Sequence, residues 1–151
     1  MKNEQEEVKQ FMIKAGQKTP QKPCIPDLDV INLRLRLHAE EAIIEMSEAF
    51  QSKNLTLIAD AIADSLVVIL GTAVACGIDI QPVWDEVHRS NMSKFIDGHK
   101  REDGKWIKGP SYIPANIGPL IEKQLDKGAA MEAFDRETKL IYQDLFLQGE
   151  L

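Results

Sequence analysis

Apolar positions along this chain recur mostly at helical spacing. In NEQEEVKQFMIKAG, Val8, Phe11 and Met12 share one side of a helix, acids come early, Lys14 comes late, and Gly16 is placed to stop it. QKTPQKPCIPD follows, and its three prolines, Pro20, Pro23 and Pro26, predict an extended connector. In DVINLRLRLHAEEAIIEMSEAFQSKN, Ile31, Leu33, Leu35 and Leu37 alternate with polar residues as a strand would. No breaker separates them from HAEEAIIEMSEAF, which is rich in good helix formers, so the pattern predicts one helix from about Asp29 to Ser52. A turn at Lys53-Asn54 leads to a third helix, Leu55 to Cys76, with Gly77 placed to end it. Asp79 or Gln81 starts a fourth, PVWDEVHRSNMSKF, with Pro82 in its first turn. Trp84, Val83 and Val87 are read there as core rather than as base-stacking residues. DGHKREDGKWIKGPSYIP reads as a loop, and two short helices follow in ANIGPLIEKQLDK and AAMEAFDRETKLIYQDLFLQ. The last carries Met131, Phe134, Leu140, Ile141, Leu145 and Phe146, to close the core or to pack on another subunit. The expected fold is all-α: one helical-bundle domain over 1–151, with a core at about 27–96, a loop at about 97–114 and C-terminal helices over 115–149.

The charges on two of these helices are unusual. At 100° per residue, Glu41, Glu45 and Glu48 fall within about 60° of each other, with Arg34, Leu37 and His38 on nearly the same side. Leu35, Ala39, Ala42, Met46 and Ala49 form the opposite, apolar side. On the third helix, Asp60 and Asp64 share a face with Leu57, Val67 and Gly71, and the rest is apolar all round, which predicts burial on most sides. The short turn makes the two helices antiparallel neighbours, so the acidic faces can meet. Crowded carboxylates repel, which raises some pKa values or demands cations. With oxygen ligands alone, the site suits Mg²⁺ or Mn²⁺. Two plainer readings stand beside this one: a solvated glutamate face, and a structural network of Asp60 and Asp64 with Arg34 or Arg36. His38 lies beside the acid stripe, either supporting a ligand or merely structural.

Composition adds little but excludes much. The chain has 151 residues and a formal net charge of −6, which gives no general basic surface for a nucleic acid polymer. Cys24 and Cys76 match no zinc spacing and read as free thiols of a reducing compartment. MKNEQEEVKQF lacks the apolar core of a signal peptide, and the uncharged run Ser65 to Ile78 is shorter than the ~20 residues a bilayer needs. The expectation is a soluble, cytoplasmic protein with no membrane partner.

RLRLHAEEAIIEMSEAF followed by IADAIADSLVVILGTAVACGIDI resembles the acidic motif of the MazG-like and phosphoribosyl-ATP pyrophosphohydrolase-like all-α nucleotide pyrophosphohydrolases. EVHRSNMSKF and REDGKWIKGPSYIP resemble the downstream segments of one branch, so the likeness covers roughly Val8 to Ile117. Two positions depart from the pattern: Ile44 stands where the family has a glutamate, with Glu45 one residue on, and Ala61 stands where it has an acid, beside Asp60. Asp64 is the most secure carry-over, followed by Glu41.

The resemblance implies Mg²⁺-dependent hydrolysis of a nucleoside or deoxynucleoside triphosphate to the monophosphate and pyrophosphate, with Mn²⁺ also effective, in nucleotide-pool control. It implies metal ligands among Glu41, Glu45, Glu48, Asp60 and Asp64, with Glu41 or Glu45 positioning or deprotonating water. Asn91 and Lys94 of SNMSK, three apart on one helix face, and Lys108 and Tyr112 of the loop would bind substrate, with the loop as a phosphate-gripping lid. Relatives form dimers or tetramers with sites near subunit contacts, so a homodimer or homotetramer is expected. A rival reading is a non-catalytic helical oligomer that binds nucleotide or metal. A phosphoribosyl-ATP hydrolase proper fits the SNMSK and KGP segments less well than the nucleotide-cleaning branch does.

Overall fold

Residues 1–128 are described by the computed structural model, and the helix expected in AAMEAFDRETKLIYQDLFLQ lies outside them. Helix α1 (Lys2–Lys14) ends where expected, and Gly16 takes φ +70°. The proline-rich connector then leads into one continuous helical rod. It comprises α2 (Leu28–Leu37), a π-helical segment (His38–Glu45) and α3 (Met46–Ser52). Strand-like alternation in its first turns did not prevail, because nothing breaks the helix between Leu28 and Ser52. Lys53 turns the chain at φ +54°, and Asn54 caps α4 (Leu55–Ala75) by accepting from the Thr56 N–H at 2.9 Å. Asp79 caps α5 (Ile80–Ser93) in the same way through the Gln81 N–H.

The expected loop contains a small antiparallel hairpin, β1 (His99–Lys100) with β2 (Trp106–Ile107). It turns at Asp103-Gly104, where Gly104 supplies φ +88°, a turn signal that four intervening charged residues obscured. A last helix, α6, occupies 118–128.

The centre of the molecule is α4, which packs against α1, α2, the π segment and α3. By length and mean hydropathy it would also pass for a membrane span, a test that the core helix of a helical bundle meets as well. Val8 and Met12 of α1 meet Leu70, Val74 and Ala75 of α4 to form the core, with Met1, Val30 and Ile80 packed at its edge. The α4–α5 junction is gripped by two glutamines. Gln5 donates to the Ile78 carbonyl at 2.6 Å and accepts from the Ile80 N–H, while Gln124 of α6 donates to the Asp79 carbonyl and accepts from its N–H.

The rod turns its acidic side toward α4, as the two facing carboxylate stripes predict: Arg34 is buried while Leu35 is 62% exposed, and Ala49 is buried as well. Two expectations about burial need correction. Helix α4 is not buried on most sides, since Ile62, Leu66 and Ile69 are each nearly half exposed along one stripe. Trp84 and Phe11 are also more than half exposed, although α5 packs on α1. In each case a periodic pattern identifies an apolar face but not the element that covers it.

Gly77 ends α4 at φ +65°, and a Cβ there would collide with the Lys22 carbonyl of the connector. Gly77→Ala should therefore destabilise the chain by about 1–3 kcal/mol, through backbone strain and displacement of the connector. Urea unfolding of the two proteins would read this, and an unchanged midpoint would contradict it.

Candidate active site

The rod and α4 carry the acidic residues, and their packing decides which of them meet. Carboxylate oxygens of Glu41, Glu45 and Asp64 all lie within 4.8 Å of one another, and all three side chains are half-buried. Glu48 and Asp60 are exposed and stand outside this trio. Asp60 is still near enough for its charge to act on Glu45. Glu41 and Glu45 belong to the π segment, whose wider turn moves them off the angular positions of an ordinary α-helix.

The crowding has an electrostatic signature. The Glu45 pKa is pushed up to about 7, first by a hydrogen bond shared with Glu41, which requires a proton on Glu45. Desolvation and the charges of Glu41, Asp64 and Asp60 add to the shift. Three close acidic oxygens, one of them holding a proton near neutrality, form a donor set that fits a hard divalent cation. Ser65, next in sequence to Asp64, is buried with its hydroxyl lacking a hydrogen-bond partner.

Behind the trio lies a polar contact between the rod and α4. The Arg34 guanidinium is buried against Gly71, where a Cβ would come within 3.1 Å of both terminal nitrogens. Its Nη2 reaches the Val68 carbonyl only at 3.5 Å, and Nε has no partner. Among the described residues Arg34 makes no ion pair with Asp60 or Asp64, so the structural network considered for these aspartates does not form. Burial lowers the Arg34 pKa, opposed by Cys76. His38 Nε2 lies 3.0 Å from Thr72 Oγ1, and that hydroxyl donates to the Val68 carbonyl at 2.9 Å. Thr72 is not among the residues the sequence pattern singles out, whereas Gly71 falls on the Asp60–Asp64 face, where a glycine opposite an arginine is the signal.

Asn91, Lys94, Lys108 and Tyr112 also come together, but elsewhere. Lys94 Nζ donates to Asn91 Oδ1 at 2.7 Å, and Lys108 Nζ lies 4.5 Å from the centre of the Tyr112 ring. The Ser90 hydroxyl donates to Tyr112 Oη at 3.2 Å, which with the cations of Lys108, Lys94 and Arg89 lowers the tyrosine pKa. The loop is anchored along α5. Trp106 Nε1 donates to the Lys94 carbonyl at 2.8 Å, and the Ile113 N–H donates to Ser93 Oγ at 2.9 Å. Glu86 holds Arg89 and accepts from the Asn116 N–H, and these contacts bring its pKa down to about 2. Ser90, Ser93, Glu86 and Arg89, none of which the sequence reading assigned a role, hold this cluster in place. Among the described residues no hydrogen bond or ion pair joins it to the acidic trio.

Among curated proteins, none matches the sequence. The family model for phosphoribosyl-ATP pyrophosphohydrolase matches residues 6–91, more than half of the chain. The match runs from α1 through the acidic trio to Asn91, and leaves Lys94, Lys108 and Tyr112 outside. An all-α architecture with carboxylates facing each other across two antiparallel helices agrees with that assignment. This chain thus belongs to the phosphoribosyl-ATP pyrophosphohydrolase family, within the MazG-like all-α nucleoside triphosphate pyrophosphohydrolase superfamily, whose members hydrolyse pyrophosphate linkages of nucleotides.

Proposed function

We propose that this protein hydrolyses a nucleoside triphosphate, foremost a deoxynucleoside triphosphate, to the monophosphate and pyrophosphate. The observation that carries the reading is the convergence of Glu41, Glu45 and Asp64 on one point between the rod and α4. These residues would hold Mg²⁺ or Mn²⁺, which when bound neutralises phosphate charge. Glu41 or Glu45, whichever carboxylate oxygen the cation leaves free, would accept a proton from the water that attacks the α-phosphorus. The α–β anhydride bond breaks and pyrophosphate leaves. Lys94 and Lys108 flank Tyr112, where two cations and a ring suit the leaving phosphates or the nucleoside.

Among the described residues no hydrogen bond or ion pair joins the lysine cluster to the acidic trio, and in this reading a second copy completes the site. The exposed apolar stripe of α4 and the outward side of the rod, including Ile43 and Phe50, supply a surface for that assembly. Light scattering should give a dimer or tetramer at micromolar concentration, and a monomer would remove this part of the reading.

The family match also favours a second substrate, phosphoribosyl-ATP, which carries the same kind of linkage. Pyrophosphate release from NTPs, dNTPs and phosphoribosyl-ATP with Mg²⁺ or Mn²⁺ separates the two. Asp64→Ala should lower release by about 100-fold or more. Lys108→Ala should lower kcat/KM by about tenfold or more, the cost of a charge-assisted contact to phosphate. No release by the unaltered chain from any substrate, with metal still bound, would point to the non-catalytic reading, in which the glutamate missing at Ile44 is the suspected cause.

The Glu45 shift has a sign that can be tested. Its pKa is raised from 4.5 to about 7, so the folded chain keeps a proton that the unfolded chain has lost. Without metal, stability should therefore be greatest below pH 4.5 as far as this group is concerned, and fall as pH rises through 7. A bound cation must displace the same proton. Calorimetry in buffers of different ionisation enthalpy should show about one proton released per cation near pH 6 and almost none near pH 9. Equal release at both pH values would contradict the assignment of Glu45.

A further inference from the structure

We propose that Cys24 and Cys76 are a thiol pair that closes reversibly into an intrachain disulfide, stapling the connector to the end of α4. The connector folds back over the C-terminus of that helix, and the Cys24 N–H donates to the Cys76 carbonyl at 2.9 Å. Lys22, two residues before Cys24, lies against Gly77, the residue after Cys76, so the two segments touch at a second point. The Cys24–Cys76 bond puts the two backbones in direct contact at the cysteines themselves, and a disulfide spans Cα separations of ~4.4–6.8 Å. Both thiols are free, with Cys24 exposed and Cys76 half-buried. Cys76 also feels the charge of Cys24. Burial pushes the Cys76 pKa up, the charge of Cys24 pushes it further, and the Arg34 guanidinium opposes both.

This asymmetry assigns the order of events. The exposed Cys24 thiolate attacks a small disulfide such as oxidised glutathione, forming a mixed disulfide and releasing one thiol. Cys76 then loses its proton and attacks the Cys24 sulfur, releasing the second thiol. In sum the two cysteines lose two protons and two electrons, and the small disulfide is reduced to two thiols. With Cys24 no longer anionic, one cause of the raised Cys76 pKa is gone at the moment when Cys76 must ionise. The bridge would close a loop that contains Glu41, Glu45 and Asp64. Cys76 lies twelve residues beyond Asp64, roughly 18 Å along the helix, so the staple acts on stability and not on the carboxylates.

The test treats the reduced full-length chain with oxidised glutathione. The main product should be lighter by two hydrogens, yield a linked peptide containing Cys24 and Cys76, and revert with dithiothreitol. Its Tm should rise on the order of 5–10 °C. Cys76→Ser should instead retain glutathione on Cys24, which shows the order of attack without depending on a folding change. A stable glutathione adduct on the unaltered chain, disulfide-linked dimers, no reaction, or a bridge that leaves the Tm unchanged would each overturn the proposal.

Discussion

The spacing between the helical rod and α4 is set where a guanidinium is buried against a glycine. Arg34 can lie flat on α4 because Gly71 has no side chain there. The approach carries a cost, since the guanidinium is removed from water with one poor hydrogen bond and no carboxylate among the described residues. What it secures is proximity further along the same interface. His38 and Thr72 meet, and below them Glu41 and Glu45 face Asp64. Larger side chains at Gly71 would push the helices apart and spread the carboxylates.

The polar side of the rod is therefore its packed side, and this inverts the usual economy of an amphipathic helix. Burying charge between two helices leaves Leu35, Ile43 and much of the α4 stripe facing outward. Among the described residues the core is built on Val8, Met12, Leu70, Val74 and Ala75. Those outward apolar side chains are the cost of packing charge inside the interface.

The loop after α5 shows a different principle. Its cations are not held by carboxylates of the acidic trio. They are fixed by backbone contacts from Trp106 and Ile113 and by the Glu86–Arg89 pair, which spend ordinary hydrogen bonds on placing Lys108 over Tyr112. A charged, glycine-containing segment can thus be well positioned without being apolar.

Much of this was legible in the residues alone. Helix limits followed from local chemistry: a turn at Lys53-Asn54, Asp79 at the start of α5, Gly16 and Gly77 as stops, an unbroken run of helix formers across the rod. The meeting of two acidic faces followed from periodicity and a two-residue turn. Tertiary structure alone decided that Glu41, Glu45 and Asp64 converge while Glu48 and Asp60 stay outside, because a π-helical stretch changes the angle per residue and no composition signal marks it. It alone also placed Cys24 beside Cys76, 52 residues away, and left Trp84 and Leu35 in the open. Local propensity acts through neighbours in the chain, whereas coverage and convergence depend on which distant surface arrives, and a single sequence does not encode that in any short window.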